Sequence, residues 1–105
     1  IIKKKRLIFQ RYKKSFKKFK YLTIIQEPKN TRGNYWLICL RLNRYHKTKN
    51  YLLSRLNKKN INCRAIWKPL HKLNIYKKIQ RDDLTSTNLL YNSVINIPSS
   101  PSLKI

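Results

Sequence analysis

Along the first twenty positions the apolar residues Ile1, Ile8, Tyr12, Phe16 and Phe19 recur at spacings of seven, four, four and three. That spacing lines one face of an α-helix and predicts a helix over 1–20. "YLTII" then reads as a short extended piece, and "QEPKNTRG" as a turn through Pro28, Asn30 and Gly33. "NYWLICLRL" is the plainest strand pattern in the chain. Trp36, Ile38, Leu40 and Leu42 share one face, while Tyr35, Leu37 and Cys39 make the other face apolar too. A strand apolar on both sides is expected inside a sheet, covered above and below.

"KTKNYLLSRLNKK" is helical in pattern, with Leu52, Leu53 and Leu56 on its inner stripe. Asn60 follows where a helix end needs a residue tolerant of left-handed geometry. "INCRAIW" predicts a second strand, stopped by Pro69, then a loop or short helix through Tyr76. A helix is expected near 82–92, with Asp82 and Asp83 placed for the positive end of its dipole. "VINI" is a last strand before "PSSPS". The order α-β-β-α-β-α-α-β implies a small α/β layer domain rather than a repeat or a bundle.

Composition changes the picture in two ways. A chain of 105 residues is one domain at most, and 41% hydrophobic with 11% aromatic content supports a modest core rather than disorder. The charge is extreme: 26 Lys+Arg against 3 acids, a formal +23, which attracts any polyanion. A second source of that charge is base composition. The chain holds 18 Lys, 13 Ile and 11 Asn but one Ala and one Gly, the pattern of A- and T-rich codons in any protein. The ten Lys/Arg of residues 1–20 therefore leave two readings open. One is a basic helix laid on nucleic acid or an anionic membrane. The other is the end of a long surface helix whose aromatic stripe packs inward.

The longest apolar run, "YWLICL", has six residues, far short of the ~18 of a membrane helix. "IIKKKR" lacks the order of a secretory signal. Cytoplasm, with no membrane partner, is the expectation. The chain starts at Ile1 and holds no methionine, which points to a piece of something longer. Cys39, His46, Cys63 and His71 are the residues from which a zinc site would be built. Their spacing matches no metal motif and Cys39 falls inside a strand, so free buried thiols and no metal are expected.

Four segments carry a resemblance. They are "KKKRLIFQRYKKSFKKFK" with its KR…RY pattern, Asn34-Tyr35-Trp36 opening a strand, Arg64 through His71 as Arg-x-x-Trp-x-x-Leu-His, and Ile95 through Ser100 as Ile-Asn-Ile-Pro-Ser-Ser. In this order they resemble the C-terminal portion of the DegT/DnrJ/EryC1/StrS aminotransferases, pyridoxal-phosphate enzymes that aminate keto-sugars on nucleotides. The branch making 4-amino sugars for legionaminic acid or bacillosamine is the most similar. The resemblance implies the C-terminal small domain of a type I fold aminotransferase, an α+β unit with a short, mostly antiparallel sheet flanked by helices. Residues 1–20 would be the connecting helix from a large domain, and 21–105 the small domain, ending before the family's last helix.

In that family the Schiff-base lysine, and the acid that keeps the pyridine nitrogen protonated, lie in the large domain. The implied function is a C-terminal fragment of a nucleotide-sugar aminotransferase acting on a 4-keto-6-deoxy sugar nucleotide. It would be inactive alone, with no catalytic residue and no pyridoxal phosphate bound by this chain. The full-length family adds a homodimer partner and the nucleotide-sugar. Residues 61–76 would then approach the active-site mouth. Arg64 would pair with a phosphate, Trp67 and Tyr76 would offer flat faces to sugar or base, and His71 would donate a hydrogen bond. Each has a plainer alternative: Trp67 in the core, Arg64 capping a helix end, His71 bonded to backbone. The rival function is a small basic RNA-binding or ribosomal protein, supported by the charge and by the aromatics interleaved in "RYKKSFKKFKY".

Overall fold

Ile38, Leu40 and Leu42 alternate with Cys39 and Arg41, and the first three are buried while the other two are half-buried. This period of two builds the central strand of the fold. The computed structural model describes residues 1–44 and 48–104. In chain order it contains α1 (Ile2–Phe16), β1 (Leu22–Ile24), β2 (Ile38–Leu42), α2 (Lys49–Lys58) and β3 (Arg64–Ala65). Two short 3-10 turns follow, Leu70–Lys72 and Asn74–Tyr76, then α3 (Thr85–Ser93) and β4 (Val94–Ile97).

The four strands form one sheet in the order β1-β2-β4-β3, with every neighbouring pair antiparallel. The register places Ile24, Leu40, Ile95 and Ala65 in one row across it. Ile95 is fully buried, and Ile8 and Phe9 of α1 close over the same cluster with Leu52, Leu53 and Leu56 of α2. Each such large side chain contributes about 1.5–3 kcal/mol on burial. The result is a small α+β unit, helices flanking an antiparallel sheet, as the family resemblance implies.

Several boundaries differ from the sequence expectation, each for a local reason. β2 begins at Ile38 and not at Asn34, because Asn34 Oδ1 accepts the Trp36 N–H at 2.9 Å and Tyr35 takes φ 50°. The chain turns there, and Trp36 leaves the inner face to stand 61% exposed. β2 is interior in the sheet, with the face of Ile38, Leu40 and Leu42 closed and that of Cys39 and Arg41 half-buried. On α1, Phe9 rather than Ile1 or Phe19 joins Ile8 inside. Ile1 and Phe19 stay exposed because they lie outside the helix, beyond the reach of the sheet. α3 starts at Thr85 and not near 82. Asp83 intercepts it, its carboxylate accepting the Thr85 N–H at 3.0 Å and hydroxyl at 2.6 Å. Asn60 does adopt the left-handed conformation, at φ 60°.

The surface is large for the mass. The accessible area is 8694 Å², against about 6,300 Å² for a self-contained protein of this size. The radius of gyration is 15.2 Å, against about 13 Å. Much of the excess is apolar, including Leu70, Ile75 and Ile79 around the 3-10 turns and Leu89 and Leu90 on α3. Among the described residues no helix is long and apolar enough to cross a membrane.

Candidate functional site

The turn that ejects Trp36 is fastened from behind. Arg6 on α1 meets Glu27 with both prongs, Nη2 to Oε1 at 2.6 Å and Nη1 to Oε2 at 3.1 Å. Arg6 Nη1 also donates to the Gly33 carbonyl at 2.7 Å, and the Gly33 N–H donates back to Glu27 Oε2. A Cβ at Gly33 would lie 3.3 Å from that oxygen, so glycine permits the close approach. The hydrogen bonds from Arg6, then from the Gly33 N–H, hold the Glu27 carboxyl down at about 2. Tyr35 is the inward anchor of the same loop. Its ring stacks on Phe9 at 4.0 Å and 16°, with the Arg6 guanidinium 5.2 Å from its centroid.

Anchored on its neighbour, Trp36 meets Trp67 beyond β3. The two rings lie 5.8 Å apart at 59°. They wall a groove of about 720 Å³ at the end of the sheet, completed by Tyr12, Arg64, Asn96 and Ser100. Arg64 stands opposite Asn96 in the β3–β4 pair, and Asn96 Oδ1 accepts the Cys39 thiol at 3.2 Å. Arg64 is exposed, and among the described residues its guanidinium has neither a hydrogen-bond nor an ion-pair partner. Among the described residues it is the one cation in the lining, which contains no carboxylate, histidine or lysine. Such a groove can hold a flat ring beside an anionic oxygen. It has no group suited to moving a proton near neutral pH.

The four residues singled out from sequence therefore divide. Arg64 and Trp67 share this groove, and Trp67 is 73% exposed rather than core. His71 and Tyr76 line a separate depression of about 540 Å³ between the 3-10 turns and α3, beside Leu84 and Arg81. His71 Nε2 sits 3.0 Å from Asn88 Oδ1, a side-chain partner and not backbone. Tyr12, Trp36, Asn96, Ser99 and Ser100 are among the lining residues that sequence reading missed as site members. The available signal was Asn34, whose side chain favours a turn two residues on.

Cys63 is buried and Cys39 half-buried; both are free, and burial pushes both thiols up. Among the described residues no three His, Cys, Asp or Glu gather as a metal site would need. His46 lies outside the described residues.

The DegT/DnrJ/EryC1/StrS aminotransferase family model matches residues 1–105. The chain belongs to this family. Solved structures agree in fold. The aminotransferase PseC of Helicobacter pylori, involved in pseudoaminic acid biosynthesis, superposes with TM-score 0.88 at 20% identity, over 99% of this chain and 29% of that one. The aminotransferase TlmJ of Streptoalloteichus hindustanus gives 0.86 at 16%, over 98% and 27%. The sugar aminotransferase Spr1654 of Streptococcus pneumoniae, in its PMP form, gives 0.84 at 20%, over 99% and 27%. The chain thus spans less than a third of the length of these relatives. No curated protein sequence matches it. Its fold is that of a part of these aminotransferases.

A family cofactor, pyridoxal phosphate, calls for a lysine to form its Schiff base and an acid to face its pyridine nitrogen. Lys49 is the buried lysine among the described residues, and burial lowers its pKa. Its ammonium donates to the Tyr91 carbonyl and lies 4.6 Å over the Tyr91 ring. The acids are committed elsewhere, Glu27 to Arg6, Asp82 and Asp83 to the entry of α3. The residues present do not fit the cofactor by themselves.

Proposed function

We propose that this chain is the small-domain segment of a pyridoxal-phosphate-dependent nucleotide-sugar aminotransferase, acting on a 4-keto-6-deoxy sugar nucleotide of the 4-amino-sugar branch. α1 is the connecting helix from the large domain, and residues 21–105 form the small domain. The cofactor, which supplies an electron sink for moving an amino group, is held by the large domain and a dimer partner. This chain alone neither binds it nor transaminates. Its contribution is the groove, with Arg64 taking a diphosphate oxygen and Trp67 and Trp36 taking ring faces. His71 and Tyr76 contribute from the second depression, at the edge of the same substrate.

The observation that carries this reading is the unengaged Arg64 guanidinium beside two tilted indoles, in a chain of this family. The groove also separates the reading from RNA binding. A chain of +23 with one cation in its main groove has not gathered its charge there. Both tryptophans of the chain line the groove, so its intrinsic fluorescence reports occupancy directly. UDP-glucose is expected to quench it saturably, in the millimolar range. Arg64→Gln should weaken that about ten-fold by removing a charged phosphate contact, whereas Lys58→Gln, equal in charge change, should not. Quenching that never saturates, or that both variants reduce alike, overturns the proposal.

A further inference from the structure

Lys5 is one of ten cations in the first twenty residues, and the KR…RY pattern it opens gives it no role by itself. In the fold its ammonium donates to the Trp36 carbonyl at 3.0 Å and to the Ser99 carbonyl at 2.8 Å. The Ser99 hydroxyl donates to the same Trp36 carbonyl at 2.9 Å. These contacts fall just beyond the sheet. The β2–β4 pairing ends at Ile38 opposite Ile97, so Trp36 and Ser99 run on past the last ladder pair. Both residues line the groove.

We propose that Lys5 is a positioning residue. Its ammonium replaces the missing ladder bonds and fixes the distance between the Trp36 turn and the 98–100 segment, and hence the width of the groove. The chemistry suits lysine. An ammonium has three donors and no acceptor, so it can bridge two carbonyls at once, and charge-assisted bonds are about twice as strong as neutral ones. Arg6, the next residue, grips the other end of the same loop through Glu27 and Gly33. Consecutive residues of α1 thus hold the Trp36 loop at two points.

Amide exchange on the 105-residue chain tests this without a ligand. In Lys5→Met the stem is kept and the charge lost. The Trp36 amide, bonded to Asn34, and the Leu103 amide, bonded to the Ser100 carbonyl, should exchange roughly ten-fold faster. The Leu40 and Ile95 amides of the central ladder should be unchanged. Lys5→Arg should restore protection, and Lys4→Met, equal in charge, should alter nothing. Faster exchange across the whole sheet would reduce Lys5 to a general stabiliser, and no change at Trp36 would remove its role; either result overturns the inference.

A second arm rests on the nucleotide-sugar reading: Lys5→Met should raise the UDP-glucose quenching constant about ten-fold. If the wild-type chain is not quenched but the exchange pattern holds, that reading fails and the brace stands. If the wild type is quenched and Lys5→Met alters neither readout, the brace fails alone.

Discussion

Arg6 and Glu27, 21 residues apart, meet in a two-pronged ion pair that fastens α1 to the loop carrying Tyr35 and Trp36. The pair gives the fold an acid-sensitive joint. Glu27 titrates at about 2 in the folded chain against an ordinary 4.5. The folded state therefore binds fewer protons than the unfolded one in that window. The stability from the pair is complete above about pH 4.5 and lost as pH falls to about 2. Urea midpoints measured down this range should fall in the wild type. In Glu27→Gln they should start lower and vary much less. An unchanged pH slope in that variant would show that the joint contributes nothing.

The inner face of α1 centres on Ile8 and Phe9, with Tyr12 and Phe16 of the aromatic stripe partly buried against the same cluster. Phe9→Ala removes a side chain 2% exposed together with the stacking partner of Tyr35. It should cost about 3–5 kcal/mol in urea denaturation. Phe19→Ala, at a position 44% exposed, should cost under about 0.5 kcal/mol. Equal losses would contradict the burial of Phe9 and the exposure of Phe19.

Legibility from sequence followed the range of the interactions involved. β2, β4, α2 and α3 were readable because alternation and helical spacing are local, and Asn60 because left-handed helix ends have few solutions. The start of β2 was not. Tyr35 and Trp36 have strand-like side chains that outweigh the turn signal of Asn34, and the turn is held by Arg6, more than twenty residues away. The candidate site was half readable for the same reason. Residues 61–76 are contiguous in sequence, but β3 and two 3-10 turns carry Arg64 and Trp67 to one side and His71 and Tyr76 to another. Trp36 joins Trp67 only through the strand order β2-β4-β3. The bridging contacts of Lys5, one of 18 lysines, were not readable, because both partners lie more than thirty residues away.

The thiols provide a folding reporter. Cys63 is 3% exposed and Cys39 donates to Asn96, and burial holds both in the protonated, unreactive form. A disulfide reagent should modify them at least about ten-fold more slowly in buffer than in urea. Rapid labelling of Cys63 in buffer would contradict its placement.

The apolar surface predicts association. With Leu70, Ile75, Ile79, Leu89 and Leu90 exposed, the isolated chain should bind a hydrophobic dye and self-associate at micromolar concentration. Sedimentation checks this directly. A monomer without dye binding would show that the excess surface needs no cover.

The coding DNA immediately upstream of Ile1 tests the central claim most directly. If the groove described here serves a cofactor held elsewhere, reading that DNA should give a large domain with a lysine-bearing cofactor motif, in frame or in a split frame. Upstream sequence unrelated to any aminotransferase would contradict the account.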